Sequence, residues 1–131
     1  MSDINWFHRT AMKISPKDFR KARTILGLTQ TQAGIVLGNV SPGRIGYWER
    51  SPKDTLPNTK DIDANTINQF IQLAEILVDF FPDKADRERF LQTPSRALSE
   101  KPPFEALIKD PPNGLHEVVQ FLARLEHGIL T

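Results

Sequence analysis

Helix punctuation constrains this chain more than any other feature. Ser15-Pro16-Lys17-Asp18 and Ser41-Pro42 each place a hydroxyl cap before a proline, and Thr29 is a third cap between them. A Ser or Thr oxygen accepts from the orphan N–H groups of a first turn, and proline there forfeits only a donor that has no partner anyway. Gly27 and Gly38-Asn39 stand where two of these helices must stop, because both tolerate left-handed backbone. Residues 15–50 are thereby cut into three short helices. The first puts Phe19, Ala22, Ile25 and Leu26 on one face, the second Ala33, Val36 and Leu37, and the third Ile45 and Trp48.

From 51 to 63 the composition turns to "SPKDTLPNTKDID", a loop and a boundary. A longer helix follows, capped by Asp63 or Asn65, with Ile67, Phe70, Ile71, Ala74, Leu77, Val78 and Phe81 in register and Leu73, Ile76 and Phe80 widening the stripe. So broad a stripe calls for two neighbours or a second subunit. Beyond Pro82 the pattern gives a short helix over 83–91, a loop with Pro94, a helix over 103–109, a break at Pro111-Pro112 and a last helix over 115–126 closed by Gly128. No strand pattern and no repeat appears. The expected fold is all-α, with residues 1–60 as an N-terminal helical bundle and residues 61–131 as a small C-terminal helical domain, the two sharing a core within 131 residues.

Charge divides at the same place. Residues 1–60 carry ten Lys or Arg against four acids, a balance of +6, and the remainder carries seven against twelve, a balance of −5. Polyanions should prefer the first half. The absence of cysteine excludes disulfides, thiolate metal sites and a cysteine nucleophile. The segment "MSDINWFHRTAMK" has no long apolar stretch, and no run approaches the ~20 apolar residues that span a bilayer, so a cytoplasmic protein without membrane contact is expected. His8, His116 and His127 are far apart and outside ligand spacing, acid pairs such as Asp83/Asp86 and Glu117/Glu126 do not converge, and there is no phosphate-cradling loop. No enzyme activity, metal or cofactor is expected. Ile4, Trp6 and Phe7 suggest an N-terminal arm packed on the core, while Arg9 and Lys13 leave a minor-groove arm open.

Two short helices joined by a tight turn, in a basic setting, form a helix-turn-helix, whose second helix enters the DNA major groove by its N-terminus. That groove, about 12 Å wide, admits one helix if its leading turn is slim. With Ile45 and Trp48 inward, Ser41, Pro42, Gly43, Arg44, Gly46 and Tyr47 are expected on the outer face. The Arg44 fork matches guanine O6 and N7, a contact worth ~1–3 kcal/mol of discrimination. Thr29, Gln30, Arg50 and Lys53 are expected along the phosphates. A half-site reader needs a two-fold mate, so a homodimer on double-stranded DNA is expected.

Residues 19–50, "FRKARTILGLTQTQAGIVLGNVSPGRIGYWER", resemble the helix-turn-helix domain of phage repressors and xenobiotic-response-element-type regulators, through Leu28-Thr29-Gln30 and Trp48-Glu49-Arg50. That resemblance implies an ion pair between Glu49 and Arg23. Ala33 and Gly34 replace the family's usual Leu and Ala, and Asn39 is one residue extra in the turn. Residues 89–130 resemble the toxin-binding domain of antitoxins encoded with RES-domain toxins, through "LQTPSRAL" at 91–98, "PFEALI" at 103–108 and "LARLEHG" at 122–128. Ser99-Glu100-Lys101 stands where that family favours a Gly-containing turn. The second resemblance implies an antitoxin that represses its own operon and docks on an NAD-consuming toxin, with contacts at Pro94, Arg96, Leu98, Phe104, Arg124, Glu126, His127 and Gly128. The residues alone also permit a dimeric repressor with no toxin partner.

Overall fold

The computed structural model describes residues 14–126; the expectations for Ile4, Trp6, Phe7, His8, Arg9, Lys13, His127 and Gly128 lie outside the described residues. Among the described residues seven α-helices follow one another: α1 Pro16–Ile25, α2 Gln30–Val36, α3 Pro42–Arg50, α4 Ala64–Phe80, α5 Lys84–Gln92, α6 Pro103–Lys109 and α7 Asn113–Glu126, with a 3-10 turn Arg96–Leu98 between α5 and α6. The described residues contain no strand, only an isolated antiparallel bridge between Ser95 and Lys101.

The caps act as the sequence predicts. Ser15 accepts from the Asp18 N–H at 3.0 Å, and Ser41 from the Arg44 N–H at 3.2 Å. At α2 the exchange is mutual: Thr29 Oγ1 accepts from the Gln32 N–H at 3.0 Å while Gln32 Oε1 accepts from the Thr29 N–H at 2.9 Å. Both stops are Schellman turns. Gly27 has φ +69°, its N–H bonds Thr24 O, and the Leu28 N–H reaches Arg23 O. Gly38 has φ +100°, its N–H bonds Ile35 O, and the N–H groups of Asn39 and Val40 both reach Gly34 O at 2.9 Å.

That doubly accepting carbonyl explains Gly34. A Cβ there would lie 1.9 Å from Val40 O and 3.8 Å from Ile45 Cγ1, so the glycine admits above all the backbone entering α3. Gly114 does the same for the other half, where a Cβ would stand 1.7 Å from Ala106 O at the crossing of α6 and α7.

Most of the apolar stripe of α4 is covered by the chain itself. One side packs on α1 and the other on α7, which supplies two neighbours within the chain, while Phe80 near the end of the stripe stays exposed. Phe19 of α1 stacks on Phe70 of α4 with centroids 4.9 Å apart, and meets Trp48 of α3 edge-on at 5.4 Å. All three side chains are fully buried, and each contributes ~1.5–3 kcal/mol or more. On the far side Leu115, Val118, Val119, Phe121 and Leu122 of α7 complete a core continuous from Ile14 to Leu122, with Leu125 packed at its edge. The core therefore runs across the irregular segment between α3 and α4. That segment is itself pinned, since Leu56 is buried and its N–H bonds Ile14 O at 2.9 Å.

Three details depart from the sequence reading. α5 runs one residue later than 83–91, and α7 starts at Asn113 rather than 115. The 3-10 turn carries no periodicity that sequence reasoning could detect. Beyond it, Ser99 and Glu100 adopt φ +60° and +64°, the left-handed conformations that glycine takes at least cost.

Candidate functional site

In the segment α2–turn–α3, α3 packs on α1 and α2 on α6, and a Cβ on the turn's Gly38 would lie 3.9 Å from Pro112. The segment's frame is the pair Arg23–Glu49: Arg23 Nε and Nη2 donate to the two carboxylate oxygens at 2.6 and 2.8 Å, and Nη1 donates to Leu28 O at 3.0 Å. Glu49 also accepts from Gln30 Nε2 at 3.2 Å. With side-chain exposures of 17% and 4%, the pair is largely shielded from water, and the hydrogen bonds to Glu49 raise the Arg23 pKa further above its already basic range. One guanidinium thus ties α1, the start of the α2 cap and the end of α3 into a rigid unit.

Around this frame Thr29, Ser41, Pro42, Gly43, Arg50 and Lys53 are exposed, and Tyr47 is 48% exposed. Three expected positions differ. Gly46 is buried rather than outward, because Arg50 and Gln30 fold over it: a Cβ there would meet Arg50 Nη1 at 3.0 Å and Gln30 Oε1 at 3.5 Å. Gln30 is half-buried and turned to Glu49.

Arg44 departs most from expectation. Its Nη1 donates to Asp61 Oδ2 at 2.9 Å and its Nη2 to Asp61 Oδ1 at 2.5 Å, with the Asn58 carbonyl as a further acceptor for Nη2. Its guanidinium carbon lies 5.6 Å from the centroid of the Trp48 ring. The fork expected to face DNA is held by the segment that follows α3. Hydrogen bonding to Arg44 holds the Asp61 carboxyl down at about 2. A cavity of about 620 Å³ opens here, lined by Arg44 and residues of the loop between Thr55 and Asp61. Sequence reasoning missed Asn58 and Asp61; they lie 14 and 17 positions from Arg44 along an irregular segment, where no period signals a contact.

The second candidate surface is at the opposite half. Pro94, Arg96, Arg124 and Glu126 are exposed and Phe104 is half-buried against the core. Leu98, expected as a contact, is 6% exposed and belongs to the core. It still floors a groove of about 200 Å³ bordered by Ala97, His116, Glu117, Gln120 and Arg124, which brings two expected residues together between the 3-10 turn and α7. His116 Nδ1 lies 2.8 Å from Gln69 Nε2, so α4 and α7 also share a polar contact there.

Among the described residues no three His, Asp or Glu side chains are placed to hold a metal, and no helix is long and apolar enough to cross a membrane. No curated protein matches the chain. A chain of the structure titled "Crystal structure of the M.tuberculosis MbcT-MbcA toxin-antitoxin complex" aligns with a TM-score of 0.59 and 15% identity, covering 88% of this chain and 96% of that one. At that identity the likeness is one of fold, and it takes in both halves. Residues 76–128, from within α4 through α7, match the family described as the antitoxin Xre/MbcA/ParS C-terminal toxin-binding domain.

Proposed function

We propose that this chain is an antitoxin that neutralises an NAD-consuming RES-type toxin through its C-terminal half and represses its own operon through α2 and α3. The observation that carries the reading is the match of residues 76–128 to a toxin-binding antitoxin family, set within a chain whose remaining helices have the cap–turn–cap order of a DNA-binding head. The Arg23–Glu49 brace supports the head, because a recognition helix must be held rigidly to read bases. The balance of +6 over residues 1–60 supports a polyanion there. On this reading Pro42, Gly43, Arg44 and Tyr47 approach bases, Thr29, Arg50 and Lys53 approach phosphates, and a homodimer in the cytoplasm supplies two half-sites. Toxin contact falls to Pro94, Arg96, Phe104, Arg124 and Glu126, with Leu98 supporting them from beneath. The chain acts by binding alone.

The test uses the full chain, since the shared core makes residues 61–131 an unsafe fragment. Co-expressed with the product of the neighbouring reading frame, the tagged chain is expected to retain that product in fixed proportion through size exclusion. An unrelated neighbour that never co-purifies, together with tight binding to promoter duplex, favours the repressor without a toxin.

A further inference from the structure

We propose that Asp61, aided by the Asn58 carbonyl, is an intramolecular competitor for the DNA-facing fork of Arg44, so that base reading begins only when the segment around residues 58–61 lets go. The inference rests on the DNA-binding reading above and concerns the regulation of that same site.

The geometry makes the two states exclusive. Guanine offers two adjacent acceptors, O6 and N7, to the paired donors of an arginine. Asp61 offers its two carboxylate oxygens to the same donors, Nη1 and Nη2, at 2.9 and 2.5 Å. Asn58 adds a carbonyl to Nη2, and the Trp48 ring at 5.6 Å backs the guanidinium. Both terminal nitrogens of Arg44 are therefore engaged, and an Arg44 held this way has no bidentate pair left for a base edge.

Release is within reach of an ordinary binding event. Asp61 is 67% exposed and Arg44 28%, so water screens the pair and can replace each partner as it leaves. Leu56 anchors one end of the segment in the core and Ile62 packs at the other, which confines the movement to the few residues between them. The 620 Å³ cavity between α3 and this segment gives it room. The clamp also keeps a carboxylate at the leading end of α3, where it repels phosphate until it is drawn aside.

Two effects of removing Asp61 must be separated: loss of competition and loss of a negative charge. Duplex from the chain's own promoter is titrated by fluorescence anisotropy with the full-length wild type, Asp61→Ala, Asp61→Asn, Asp54→Ala, Arg44→Ala and the double variant Arg44→Ala/Asp61→Ala. Asp54 lies in the same linker and is exposed, so it reports the charge alone. Asp61→Ala is expected to tighten binding about three- to tenfold beyond Asp54→Ala, the range for a partly exposed ion pair with one added charged hydrogen bond. In the Arg44→Ala background that excess is expected to vanish. Asp61→Asn makes the same comparison without a change of shape, and carries the test if Asp61→Ala unfolds by circular dichroism. A gain no larger than that of Asp54→Ala, a gain that survives without Arg44, or weaker binding by folded Asp61 variants each overturns the competitor. If the wild type binds and the Asp61 variants show no excess, the competitor alone falls. If no protein in the series binds at low salt, the DNA-binding reading falls and takes the competitor with it.

Discussion

Replacing Gly34 with alanine sets two well-defined effects against each other. Helix propensity favours the change by ~1 kcal/mol, since Gly34 lies inside α2. Packing opposes it. The new Cβ would stand 1.9 Å from Val40 O, whereas a carbon–oxygen contact settles near 3.3 Å, so the carbonyl must retreat by about 1.4 Å. The Gly34 carbonyl also accepts from the N–H groups of Asn39 and Val40, both at 2.9 Å, and a displacement of that size breaks them. Two lost bonds at ~0.5–1.5 kcal/mol each and residual overpacking of ~1–3 kcal/mol outweigh the propensity gain. The expected net loss is about 1–5 kcal/mol, or a Tm lower by roughly 4–18 °C for a chain of this size. Gly43→Ala is the internal control, because a Cβ there meets nothing within 4 Å, and it is expected to leave stability unchanged or raise it by up to ~1 kcal/mol. Urea denaturation of both variants decides the matter. A Gly34→Ala protein as stable as the wild type would refute the close approach of the turn to α2.

Other consequences can be checked as directly. Arg23→Met leaves the Glu49 carboxylate, 4% exposed, with the Gln30 amide and no guanidinium, and should destabilise by about 2–4 kcal/mol in the same denaturation assay. The Asp61 carboxyl, held down at about 2 by Arg44, lies below its unfolded value of 3.8, so its pairing contributes above that value and is lost as pH falls through about 2. Carboxyl-carbon NMR should place the Asp61 midpoint near 2 in the wild type and near 4 in Arg44→Ala. On promoter duplex, Arg44→Ala should lose ~1–3 kcal/mol at one base position, whereas Lys53→Ala should weaken all sequences alike and shallow the salt slope by about 0.9. Equal, sequence-blind losses from both would remove Arg44 as a reader.

What was legible in the sequence was what depends on near neighbours. Ser15, Thr29 and Ser41 cap helices within three residues, and Gly27 and Gly38 stop them within one turn, so α1 to α3 followed from local chemistry. The width of the α4 stripe called for two neighbours or a second subunit, and within the chain α1 and α7 are the two neighbours. Contacts across long separations left no comparable mark. Gly114 was unremarkable until its closeness to the Ala106 carbonyl appeared, and Gly46 looked exposed because the side chains that cover it come from α2 and from one turn ahead. Leu98 follows a proline in a motif suggestive of contact, yet its side chain is spent on the core beside α7. Arg44 was correctly placed on α3, but the acid that holds it lies beyond a loop whose path no periodicity encodes.

The proposed function turns on what the C-terminal half restrains. NAD should be measured in cells that induce the neighbouring reading frame's product alone, and again with this chain co-expressed. The account predicts that NAD collapses in the first case and is held in the second. A neighbour that leaves NAD untouched, or a collapse that this chain does nothing to prevent, would contradict it.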